Sequence, residues 1–118
     1  MGTLGTLERD GLIVGGFPTV SQGITLTGPA EFKRGDVVGV NGDGVVVMVD
    51  SSATDGSQSV IGIICDNVTI ADGETAESTI YIKGEFSRRF MQFGGSDTAD
   101  THLRQMAKDG MIIRSTRV

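Results

Sequence analysis

From Thr19 the chain alternates: Val20, Ile24 and Leu26 fall on one parity and Thr19, Ser21, Thr25 and Thr27 on the other, the period-two signature of a half-buried strand. Gly28-Pro29 ends it. Phe32 to Asp36 reads as a turn, followed by a short apolar strand at Val37 to Val40. Asn41-Gly42-Asp43-Gly44 then tolerates positive φ between two valine runs, which predicts a hairpin pairing Val37–Val40 with Val45–Val49. Asp50 to Gln58 is a polar loop. Val60 to Cys65 is apolar on both faces and is expected to be a central strand. Asn67 to Thr75 reads as a second loop, after which Ser78, Ile80, Ile82 and Phe86 alternate with Thr79, Tyr81, Lys83 and Glu85 in another period-two strand. One helix is predicted, from about Thr98 to Lys108, with Ala99, Leu103, Met106 and Ala107 on one face. Ser96 or Asp97 is placed to cap it and Gly110 to stop it. Met111 to Ile113 is long enough for a last short strand, leaving Arg114 and Arg117 in a basic tail.

Met1 to Gly16 shows no sustained period and one apolar trio, Leu12-Ile13-Val14. It is read as an arm (residues 1–16) outside the core of a single β-rich domain (17–118). The competing reading makes Leu12–Val14 the first strand of the protein's own sheet. Composition agrees with a turn-rich β domain: 118 residues, 18 of them Gly and 2 Pro, make one domain with many tight turns. A net charge of -5 argues against phosphate-driven nucleic-acid binding. The longest apolar run, Val45–Val49, is far short of the ~20 residues a bilayer requires, so no membrane partner is expected. One cysteine, Cys65, cannot form an intrachain disulfide, and no secretory signal pattern opens the chain. A reducing cytoplasm is the expected place of synthesis.

Candidate chemistry is sparse. The sole imidazole, His102, is expected to be a solvated helix residue. Asp97, Asp100, His102 and Ser96 resemble triad ingredients, but all lie in one short segment, whereas a triad converges from separate elements onto a cleft. One Cys and one His are too few for structural zinc, and hairpin chemistry accounts for Asn41 to Gly44 without calcium. Cys65, inside an apolar strand, reads as a buried inert thiol. No catalytic residue, cofactor or metal is assigned.

Four blocks occur in order: Lys33-Arg34-Gly35-Asp36-Val37-Val38-Gly39, then Asp50 to Gln58, then Ile82-Lys83-Gly84-Glu85-Phe86, then Phe93-Gly94-Gly95-Ser96-Asp97-Thr98. Over Phe17 to Ile113 the chain resembles the head decoration proteins of lambda-like tailed bacteriophages. The resemblance implies a mainly β fold, a β-clip-like bent-ribbon small barrel with one short C-terminal helix and an extended N-terminal arm. It implies a non-enzymatic virion protein, binding as homotrimers to the outer surface of the expanded head at threefold and quasi-threefold positions and stabilising it against internal DNA pressure. The partner would be the major capsid protein, met by strand addition through the arm, with Leu12, Ile13, Val14 and Phe17 as its capsid-binding residues. Phe90, Met91 and Phe93, an apolar group beside Arg88-Arg89, are expected at the trimer interface, the alternative being that they fill the core.

Two other classes stay open. A small ligand- or carbohydrate-binding β-module would share the glycine and acid content, although such clefts usually carry more aromatics than the 5% found here. A compact hydrolase would need a second catalytic group brought to His102 from a distant loop.

Overall fold

The computed structural model describes residues 11–15 and 18–114. Eight strands and one α-helix follow in order: β1 Val20–Thr27, β2 Ala30–Phe32, β3 Val37–Val40, β4 Val46–Met48, β5 Gly62–Ile64, β6 Val68–Ile70, β7 Thr75–Ser87, α1 Ala99–Lys108 and β8 Met111–Arg114. The main sheet runs β1-β7-β5-β3-β4, with β8 also on β7. All pairings are antiparallel except β7 with β8. The protein is mainly β as expected, but the sheet stays open and does not close into the small barrel that the resemblance implied. No helix among the described residues is long and apolar enough to cross a membrane.

The central strands are apolar on both faces because both faces are covered. Consecutive residues point to opposite sides, so Val37, Ile63 and Tyr81 enter one cluster with Leu12, Phe86, Met106 and Met111. Val38, Ile64 and Ile80 enter the other with Leu26, Phe32, Val46 and Ile70. The first cluster lies under α1 and β8, the second under a two-stranded sheet of β2 and β6. That small sheet was not foreseen: Phe32 ends a strand where only a turn is expected, and Val68–Ile70 lies inside the expected loop. Strands of three residues are too short to display a period.

The hairpin forms as read, with Val38, Gly39 and Val40 opposite Met48, Val47 and Val46. Its turn is closed by Asn41, whose Oδ1 accepts from the N–H groups of Asp43 and Val45 at 2.9 and 3.0 Å. In β7 the alternation breaks. Ile80 and Phe86 share a parity in the sequence, yet they belong to different clusters. Gly84 sits between them at φ +143°, and a Cβ there would meet the Phe86 ring at 3.0 Å. The β1–β7 register shifts between Val20 and Ser21, opposite Lys83 and Tyr81, so Ile82 is one extra residue on β7 and the parity inverts there; Phe86 packs with Tyr81 at a ring-centroid distance of 5.6 Å.

The helix spans nearly the expected residues but shows a different face to the core. Ala99, His102 and Met106 are buried, whereas Leu103 and Ala107 are exposed. Thr98, not Ser96 or Asp97, is the N-cap, and its N–H donates to Thr101 Oγ1 at 3.0 Å. Gly110 does follow the C-cap.

Candidate functional site

The N-terminal segment is part of the domain's own sheet. Ile13 bridges Phe86 antiparallel, Val14 N–H donates to Glu85 O at 2.9 Å, and Ser87 N–H donates to Leu12 O at 2.8 Å. Because β1 pairs with β7 in the same sense up to Val20 opposite Lys83, Leu12–Val14 is an upstream continuation of β1 along β7. Leu12 is 0% exposed and sits in the first cluster, with Ile13 packed against it. The expectation that residues up to Gly16 lie outside the core is thereby corrected at Leu12: beside an open β7 edge Leu12 is fully buried, while Ile13 and Val14 are half-buried. Phe17 and residues 1–10 lie outside the described residues.

The three residues expected at the trimer interface divide. Met91 is buried in the first cluster and Phe93 packs against it, so two of them fill the core. Phe90 is 37% exposed. Its ring lies against Gly11 and carries the Arg89 guanidinium carbon 5.6 Å from its centroid. Met91 and Phe93 alternate with the exposed Gln92 as the chain leaves the 3-10 turn Arg88–Phe90, which places both on the inner side.

A polar cluster is formed by the exposed Ser51, the half-buried Asp97 and the buried His102. His102 is 4% exposed, not solvated as expected, with Nε2 2.6 Å from Asp97 Oδ2 and its ring stacked on Phe93 at 5.7 Å. Asp97 also accepts from Ser51 N–H at 2.7 Å and Ser51 Oγ at 2.6 Å. Burial pushes the Asp97 carboxyl up, and the hydrogen bonds from Ser51 and His102 together outweigh it, holding the group below the ordinary 3.8. An ionised Asp97 has no proton to give, so His102 Nε2 is the donor. Ser51 Oγ points to the carboxylate and not to the imidazole, so the three residues do not make a nucleophile–base pair. They tie the Asp50–Gln58 loop to α1. Ala99, His102 and Met106 stand at i, i+3 and i+7, a stripe legible in the sequence once His is counted as a core residue.

Other polar side chains are likewise spent on the fold. Gln105 pairs with the backbone of Val60 as a strand would, accepting from its N–H at 2.8 Å and donating to its carbonyl at 3.1 Å. Arg34 donates to the Cys65 carbonyl at 2.9 Å and the Tyr81 hydroxyl at 2.7 Å. Cys65 is buried, and no group of three or more His, Cys, Asp or Glu among the described residues could hold a metal ion.

Among the described residues the reactive side chains named above serve the packing of a β-domain whose N-terminal segment is carried on a sheet edge. A family model described as bacteriophage lambda head decoration protein D matches residues 8–111, and the chain belongs to that family. It is therefore a structural capsid protein of a phage head, associated with the capsid in the virion. Among curated proteins none matches it.

Proposed function

We propose that the protein binds as trimers to the outer surface of the expanded head, at threefold and quasi-threefold positions, and stabilises the shell against internal DNA pressure without catalysis. The observation that carries this reading is the family match over residues 8–111, which spans the domain and the root of the N-terminal segment. In this reading Leu12 pins that segment to β7 from within the core. Ile13, Val14 and Phe17 follow Leu12 toward β1 in the sequence, and Met1–Asp10 adds a strand to the major capsid protein, where backbone hydrogen bonds give affinity and alternate side chains give register. The homotrimer is the only other partner in this reading, which involves neither nucleic acid nor membrane.

The test mixes purified protein with expanded heads that lack it, followed by negative-stain imaging and a heat challenge. Added density at threefold positions and heads that survive higher temperature are expected. Heads that take up no protein overturn the reading.

A further inference from the structure

The chain has two asparagines, Asn41 and Asn67, and the fold treats them differently. Asn67 is followed by Val68, the first residue of β6, and its Oδ1 accepts from Arg34 N–H at 2.8 Å. Asn41 is followed by Gly42, and its Oδ1 accepts from two backbone groups, the N–H of Asp43 at 2.9 Å and that of Val45 at 3.0 Å. Its main chain is fixed as well, with N–H donating to Val45 O at 2.9 Å and the carbonyl accepting from Gly44 N–H at 3.0 Å. Two N–H groups on one carbonyl oxygen polarise that carbonyl, and they are already in place for the charge that an attacking nucleophile drives onto it. The nucleophile in the chain is the peptide nitrogen of Gly42, because its attack on Asn41 Cγ closes a five-membered ring. Gly42 is exposed and has no side chain to obstruct that nitrogen. Asp55 joins the arrangement from the next loop: a Cβ on Gly42 would lie 3.6 Å from its carbonyl oxygen and 3.7 Å from its Cβ. Hydrogen bonds from the Ser57 hydroxyl and N–H, with the Gly42 N–H among the lesser donors, hold the Asp55 carboxyl below the ordinary 3.8, so at neutral pH it is an ionised acceptor.

We propose that Asn41-Gly42 is a site of autocatalytic deamidation, set up by the same bonds that close the β3–β4 hairpin. Gly42 N gives its proton to the Asp55 carboxylate and attacks Asn41 Cγ, and the carbonyl electron pair moves onto Oδ1 beneath the N–H groups of Asp43 and Val45. When that pair returns, the Cγ–Nδ2 bond breaks and ammonia leaves with the proton, so that a succinimide remains. Water then opens the ring at either carbonyl, giving an aspartate at position 41 or an isoaspartyl link in which the main chain runs through the former side chain. Either product adds one negative charge to a turn that already carries Asp43 and, across from it, Asp55, both exposed. The isoaspartyl link also lengthens the turn by one main-chain carbon, and β4, at the end of the sheet and paired with β3, is the strand that shifts to take it up. The reaction needs no reactant besides water and does not depend on the capsid reading.

Ageing the purified full-length protein at neutral and mildly alkaline pH, in buffer and in denaturing guanidinium, with peptide mass mapping and isoaspartyl detection, tests this. Conversion is expected at Asn41 and not at Asn67, faster at the higher pH, and at least about threefold faster in the folded chain than in denaturant. Gly42→Ala, whose new Cβ meets Asp55 at an ordinary contact distance, should slow conversion at least about tenfold, and Asp55→Ala at least about threefold, each with its fold checked by circular dichroism. Folded protein that keeps Asn41 intact while denatured protein converts it overturns the proposal, because the turn then protects the amide. Equal conversion of Asn67 also overturns it, and so does Asp55→Ala protein that converts at the wild-type rate.

Discussion

The two faces of the central sheet are covered in different ways. Beneath β2 and β6 the interior is wholly apolar, with Leu26, Phe32, Val38, Val46, Ile64, Ile70 and Ile80 in contact. Beneath α1 and β8 the apolar cluster is rimmed by buried polar groups, Asp97 with His102 and Gln105 with Val60, and is completed by Leu12 from the N-terminal segment. Burial alone holds the first face, and it is insensitive to pH. The second face is assembled from pieces distant in sequence, and each piece needs a directional contact to fix its place. A helix of 10 residues has too little length to be stable alone, so its position depends on the layer that receives it.

The largest expected effect comes from the apolar face. Ile64→Ala, at a position with 0% exposure, should cost about 2–5 kcal/mol in chemical denaturation, at every pH where the protein folds. The same range is expected for Leu12→Ala, and it separates two truncations. Removing residues 1–10 should leave the denaturation midpoint nearly unchanged, whereas removing residues 1–16 should lower stability by as much as Leu12→Ala does. Equal stability of both truncated forms would show that Leu12 contributes nothing to the core.

Asp97→Ala should cost about 1–3 kcal/mol, since it strands the buried donor of His102. The pH dependence sharpens the contrast between the faces. The folded Asp97 carboxyl titrates below its ordinary 3.8, so its contribution is fully present above that value and is lost as pH falls through the lower, folded one. Asp36 has the opposite sign, because burial, partly offset by Lys33, raises its carboxyl, and its ionisation weakens the fold as pH rises through that raised value. Acid titration of stability should therefore flatten on the acid side in Asp97→Asn, while Ile64→Ala shifts the whole curve without changing its shape. The smallest effect belongs to Leu103→Ala. Although Leu103 occupies the helix stripe expected from the sequence, it is 37% exposed, and a change within about 0.5 kcal/mol is expected, against about 2–5 kcal/mol for Met106→Ala.

Much of the strand layout could be read from the residues. The Asn41–Gly44 turn fixed a hairpin because the side chain and glycines that close it are adjacent in sequence. A strand apolar on both faces at Val60–Cys65 announced a central position because only a covered sheet accommodates it. The decoration-protein resemblance also rested on linear blocks, Lys33–Gly39 and Ile82–Phe86 among them, and the family match agrees with it.

Other features depended on what lay across the fold. The parity of Phe86 was decided by the one-residue shift of the β1–β7 register at Ile82, which depends on how β7 meets its partner strand. Whether Leu12–Val14 was a free arm or an edge strand turned on an open stretch of β7 beside Phe86, more than seventy residues away in the chain. His102 was buried because Asp97, held by Ser51 from another loop, gave its ring nitrogen an ionised partner. Local sequence determines turns and periods through short-range sterics and hydrogen bonds. The cost of burying a polar or terminal residue is met by partners distant in sequence, and only the tertiary structure brings them within reach.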